Sequence, residues 1–214
     1  MDYNAQDKQI HIVNLAVCAS LQAFEEYSSR SLNCRRDVIA AIRVKLRPYL
    51  QEIAEREYAE TCMGNVRDKI IKLVLALDKT PGVEDLLSEV VTGDHGMTLH
   101  EQAPYGVVLA IYPATNPCAT MINNVISMLA AGNSVISIPN PRCMETSQFL
   151  TEKINEAIEE ACGIQNLVVT LPESRNDLLT EIINHPDVAL VVATGGRKMM
   201  SHVLCSPKRV IAGG

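Results

Sequence analysis

Aromatic residues are scarce in this 214-residue chain: tryptophan is absent, phenylalanine occurs twice, and aromatics make up 4% of the total. No Lys/Arg stripe runs among the few that exist, and the formal charge is −6, so a nucleic-acid footprint and a polybasic membrane patch are both missing. No run reaches eighteen apolar residues. The opening stretch, MDYNAQDKQIHIVNLAVC, carries an acid near its front and Asn and His within its apolar part, which fits neither a secretory signal nor a transit peptide. A cytoplasmic protein is the expectation. The seven cysteines are an odd number without a C-x-x-C pair, which argues against a zinc site or a disulfide framework and for reduced thiols. The five histidines form no metal-ligand spacing, and no metal is expected. The G-x-G-x-x-G fingerprint and the P-loop are also absent.

What is present is apolar periodicity. Hydrophobic residues make up 47% of the chain, enough for a substantial core. Residues 7 to 80 read as helical, with Ile39, Ile42, Leu46, Leu50 and Ile53 as one buried stripe and Arg35, Arg36, Arg43 and Glu55 on the solvated side. A further helix from about Val66 carries Ile70, Leu73 and Val74. Thr80-Pro81-Gly82 interrupts, Gly93-Asp94-His95-Gly96 is a turn, and Met97 to Gln102 is one strand of a hairpin or an edge strand.

From Val107 the texture changes. Short aliphatic runs bounded by Gly and Pro, Val107 to Ile111, Ser134 to Ile138, Leu167 to Thr170, Val188 to Ala193 and Lys208 to Ile211, suit strands buried on both faces. Helices fall between them, at Met121 to Ala131, Glu145 to Ala161, Asn176 to Asn184 and Gly196 to Leu204. The fold class is therefore α/β: a helical N-terminal region followed by an open, mostly parallel, Rossmann-like sheet with helices on both faces. Residues 1–92 form the helical region, 93–106 a hairpin or arm strand, and 107–214 an α/β domain that ends just after a strand.

Ligands on such sheets bind beyond the carboxyl ends of the strands. Three segments sit there. Thr115-Asn116 lies between Pro113 and Pro117, where a fixed amide can donate to a developing oxyanion; the commoner role for such residues is to cap the next helix. Pro139-Asn140-Pro141 follows the second strand. Thr194-Gly195-Gly196 precedes a helix whose free N–H groups favour an anion, although strand-to-helix turns also use glycine for packing. Cys118, at a helix start that would depress its pKa, is the best-placed thiol for a nucleophile, against the alternative of a small buried hydrophobe.

Several segments together resemble the CoA-acylating branch of the aldehyde dehydrogenase superfamily, the propionaldehyde and acetaldehyde dehydrogenases of bacterial microcompartments. They are Glu60 to Lys69 (ETCMGNVRDK), Lys79 to Leu86 (KTPGVEDL), Ala103 to Pro141, and Ala193 to Gly196, in that order. The resemblance implies an NAD-binding domain, a strand of an oligomerisation arm, and a reaction taking a small aldehyde, NAD and coenzyme A to acyl-CoA and NADH through a cysteine thioester. It places Pro139, Asn140 and Pro141 beside the adenosine end of the cofactor and Thr194, Gly195 and Gly196 near the pyrophosphate. Thr115 and Asn116 become alternative oxyanion donors. His often stands in the family where this chain has Asn140. None of the seven cysteines matches the family's catalytic motif, which belongs to a domain following Gly213-Gly214.

The leading expectation is the N-terminal, cofactor-side portion of such an enzyme, inactive alone, binding NAD weakly, forming homo-oligomers, and residing in the cytoplasm or inside a bacterial microcompartment, with the microcompartment shell as a candidate partner. The alternatives are a naturally short binding or assembly module with the same fold, and a complete small enzyme using Cys118.

Overall fold

The computed structural model describes residues 3–173 and 176–213, with side chains from Ile10 onward and excluding that of Asn176. Ser174, Arg175 and Gly214 lie outside the described residues. Four helices come first: α1 (Tyr3–Ser28), α2 (Leu32–Leu46), α3 (Leu50–Thr61) and α4 (Val66–Lys79). Each break has a local cause. Ser31 begins α2 by accepting from Cys34 N at 3.3 Å. Asn65 begins α4 by accepting from Asp68 N at 2.9 Å. Cys62 ends α3 in the left-handed region, at φ 51°. The predicted stripe Ile39, Ile42, Leu46, Leu50 and Ile53 is buried throughout.

Arg35 departs from its predicted place on the solvated side. Only 8% of it is exposed. Its guanidinium lies over the Tyr27 ring, 5.9 Å from the centroid, and donates to Ser28 O at 3.4 Å, at the carbonyl end of α1. A helix C-terminus carries partial negative charge, which supplies the interaction a carboxylate would otherwise provide.

A two-stranded hairpin follows, β1 (Glu89–Gly93) against β2 (Gly96–His100), antiparallel with Glu89 opposite His100. All ten residues are exposed, including Val90, Val91, Met97 and Leu99. Only the second strand is marked in the sequence; with both strands exposed on both faces, neither shows the alternation of a half-buried strand.

The remaining chain alternates: β3 (Val107–Ile111), α5 (Pro117–Ala130), β4 (Ser134–Ile138), α6 (Met144–Cys162), β5 (Val168–Thr170), α7 (Asn176–Asn184), β6 (Val188–Thr194), α8 (Arg197–Leu204) and β7 (Arg209–Gly213). The five strands form one parallel sheet in the order β5-β4-β3-β6-β7. Every residue of β3 and β4 is buried, as strands covered on both faces require. Val108, Ala110 and Val135 point into a core shared with α2, α3, α4, α5 and α6. Val107, Leu109, Ile111, Ile136 and Ile138 point into a second core with α1, α7 and α8. Chain order runs outward from β3 through β4 to β5, then returns to β6 on the other side, so the crevice between β3 and β6 is a topological switch point.

Candidate active site at the carboxyl ends of the strands

The three candidate segments meet at that switch point. A cavity of about 510 Å³ is lined by Thr115 and Asn116 after β3, Pro139, Asn140 and Pro141 after β4, and Thr194, Gly195 and Gly196 after β6. Met199 closes one side. The strand ladder continues into the loops and holds them: Tyr112 N donates to Ile138 O at 3.1 Å, and Gly195 N donates to Gly213 O at 3.2 Å. Asn140 uses its side chain locally, accepting from Arg142 N at 3.1 Å.

Gly196 is the N-cap of α8 and has no side chain with which to satisfy that helix's first amides. The N–H groups of Arg197, Lys198 and Met199 precede the first intrahelical bond, Met200 N to Gly196 O at 3.1 Å. A β-carbon built on Gly196 would meet nothing within 4 Å, and its φ of −70° is ordinary. Neither backbone strain nor internal packing therefore requires glycine there. The exposed amides and the dipole of this helix N-terminus suit an anionic group.

Asn116 occupies the N-cap position of α5, but its side chain caps nothing. Its carbonyl oxygen accepts from Thr120 N at 3.1 Å and Thr120 Oγ1 at 2.7 Å, while its side-chain Oδ1 accepts from Lys72 Nζ at 2.8 Å. Thr115 is exposed.

The caps of the cleft helices come from elsewhere. Glu57 and Glu60, one turn apart on α3, each hold the first turn of a helix that leaves the cleft. Glu57 Oε2 accepts from Cys118 N in α5 at 3.4 Å, and its other oxygen pairs with Lys69 in a buried ion pair. Glu60 accepts from Glu145 N at 2.9 Å and Thr146 N at 3.1 Å in α6. Sequence reading missed both residues. Two glutamates three positions apart on a helix carry the signature of a solvated face, and nothing local distinguishes them from one.

The nucleophile role considered for Cys118 is overturned. Its thiol is fully buried. Its pKa is raised well above the ordinary value, first by contact with the Cys143 thiol, then by burial, with the Glu57 carboxylate adding to both. The helix-start effect is outweighed because a second thiol and a carboxylate face the same sulfur. Among the described residues no cluster of His, Cys, Asp or Glu is arranged to hold a metal ion, and no helix is long and apolar enough to cross a membrane.

Comparison with known proteins places this geometry in context. The profile of the aldehyde dehydrogenase family matches residues 3–211. The chain is 44% identical over 202 residues to the CoA-propanoylating propanal dehydrogenase of Salmonella typhimurium, covering 94% of this chain and 44% of that protein. Among solved structures, the propionaldehyde dehydrogenase of Rhodopseudomonas palustris, with bound CoA and an acylated cysteine, superposes with a TM-score of 0.91 at 38% identity, over 94% of this chain and 46% of that one. The propionaldehyde dehydrogenase of a Clostridium phytofermentans fucose-utilisation microcompartment superposes with a TM-score of 0.92 at 40% identity, again over 94% and 46%. The chain thus spans under half the length of these relatives.

Proposed function

Because this chain belongs to the aldehyde dehydrogenase family, we propose that it is the cofactor-binding portion of an enzyme that converts a small aldehyde, NAD and coenzyme A to acyl-CoA and NADH. The observation that carries this reading is the convergence of Pro139, Asn140, Pro141, Thr194, Gly195 and Gly196 on one cavity beside the open N-terminus of α8. The dinucleotide supplies the hydride acceptor. Here the exposed amides of Arg197, Lys198 and Met199 bind its pyrophosphate, and the bare α-carbon of Gly196 allows the backbone to approach it. Pro139 and Pro141 hold the loop after β4 rigid at the adenosine end. An adjoining cavity between α7 and α8, lined by Leu179, Gly196, Arg197, Lys198, Met199 and His202, extends the cleft with apolar walls and two cations.

Asn116, and Thr115 beside it, face the reacting end. In this reading the Asn116 side-chain N–H group stabilises negative charge on the aldehyde oxygen when a thiolate adds to the carbonyl. None of the seven cysteines lines the cleft, Cys118 and Cys143 being buried and Cys18, Cys34, Cys62, Cys162 and Cys205 lying elsewhere, so these residues do not supply the thiolate. Residues 107–214 act as the NAD domain, residues 1–88 as its helical support, and the exposed hairpin of β1 and β2 as an arm joining copies into a homo-oligomer. Residence in a microcompartment follows the setting of the Clostridium phytofermentans relative.

Calorimetric titration of the 214-residue chain with NAD tests the cleft. Weak, saturable binding that Gly196→Val abolishes is expected, with no NADH formed from propanal and CoA by this chain alone. Binding indifferent to Gly196→Val, or turnover by the pure chain, overturns the assignment.

A further inference from the structure

Resting on the reading of Asn116 as the oxyanion donor, we propose that Lys72 of α4 is the residue that positions its amide. Lys72 Nζ lies 2.8 Å from Asn116 Oδ1. An ammonium has three donors and no acceptor, so the amide atom facing it must be oxygen. That settles which way the Asn116 side chain is turned: its N–H group points away from Lys72, and among the described residues it has no protein acceptor. A charge-assisted bond to the amide oxygen also polarises the group, strengthening its N–H as a donor.

The surroundings release Asn116 for this task. An Asn at the start of a helix ordinarily folds back onto the helix's first amides. In α5 the first position is Pro117, which has no N–H, and the next amide, Cys118 N, goes to Glu57. The backbone oxygen of Asn116 is taken by Thr120. Only the side chain is left, and Lys72 takes its oxygen. Nor is the Lys72 bond needed to dock α4 on α5, because Asn123 Nδ2 already donates to Thr80 Oγ1 at 2.9 Å and the two helices share a core.

Asn116 also stands between two openings. A cavity of about 610 Å³ on its far side is lined by Lys72, Leu75, Lys79, Asn123 and Asn124, and shares Asn116, Thr120 and Thr194 with the nucleotide cleft. Lys72 thus reaches Asn116 from the wall opposite the dinucleotide, leaving the cleft side of the amide open to a reacting oxygen.

Two measurements test this. In the 214-residue chain, the side-chain amide of Asn116, assigned with Asn116→Ser, should show a rigid nitrogen order parameter that falls in Lys72→Met and recovers in Lys72→Arg, with the melting temperature unchanged. In the full-length enzyme, Asn116→Ala should lower kcat roughly 10²-fold, as loss of one oxyanion donor does. Lys72→Met should lower kcat about tenfold with KM for NAD unchanged, and Lys72→Arg should restore most of it. The double variant should be no slower than Asn116→Ala alone, because the two residues act through one group. Losses that multiply, or a Lys72→Met enzyme as fast as the parent while Asn116→Ala is slow, overturn the positioning role and leave the Asn116 reading intact. Full activity in Asn116→Ala removes that reading and this proposal with it.

Discussion

The guanidinium of Arg35 rests directly on the α-carbon of Gly132, where α5 ends: a β-carbon at that position would lie 2.5 Å from Arg35 Cζ and Nη1 and 2.6 Å from Nη2. Gly132 also has a φ of +83°, in the left-handed region. Its smallness and its conformational freedom are both in use.

Gly132→Ala should therefore destabilise the chain by roughly 2–4 kcal/mol, the strained backbone and the displaced buried cation acting together. Urea denaturation measures this. A shift below about 0.5 kcal/mol, the range of an ordinary surface change, would contradict the contact.

The Glu57–Lys69 pair offers a cleaner comparison, since both side chains are nearly fully buried. Glu57→Ala strands the Lys69 ammonium and removes the acceptor for Cys118 N, for an expected loss of about 3–5 kcal/mol. Replacing both residues by Met should cost markedly less, because no buried charge is left without a partner. Equal losses in the two variants would mean that the cost is packing alone.

Glu60 is half-exposed and its two hydrogen bonds are of the capping kind. Glu60→Ala should cost about 1–2 kcal/mol and weaken NAD binding through the loop that leads into α6. Chemical denaturation read alongside calorimetry separates the two effects, and unchanged NAD affinity would confine Glu60 to a stabilising role.

Stability should fall at alkaline pH in a way traceable to Cys118. Its folded pKa is raised, by Cys143 first and burial second, above the ordinary value of 9.0. Above that value the unfolded chain releases the thiol proton while the folded chain keeps it, so the unfolded state binds fewer protons and stability declines as pH rises. Below about pH 8 both states hold the proton and the contribution is constant. In Cys118→Ala the slope of melting temperature between pH 9 and 10 should flatten, whatever the variant's absolute stability. An unchanged slope would assign the alkaline limb to other groups.

Apolar patterning made most of this architecture readable. Val107 to Ile111 and Ser134 to Ile138 are continuous aliphatic runs because the sheet is covered on both faces, and their ends point to the cleft by topology alone. Thr115, Asn116, Asn140 and Gly196 could be located for the same reason: each follows a strand end. Arg35, Glu57 and Lys72 could not. A polar helical residue looks solvated in sequence, and only a partner far along the chain, Gly132 for Arg35, Cys118 for Glu57 and Asn116 for Lys72, shows otherwise.

The order of strands has a consequence for how the cleft comes into being. Its two sides are carried by β3 and β6, which pair Val107 with Val188, and α5, β4, α6, β5 and α7 lie between them in the chain. Closing so long a loop costs entropy before any contact repays it, so this pairing belongs late in folding. During synthesis, then, the loop carrying Asn116 emerges well before the strand that will face it, and a chain interrupted after β5 has only half of the cleft and nothing for a ligand to bind across and stabilise.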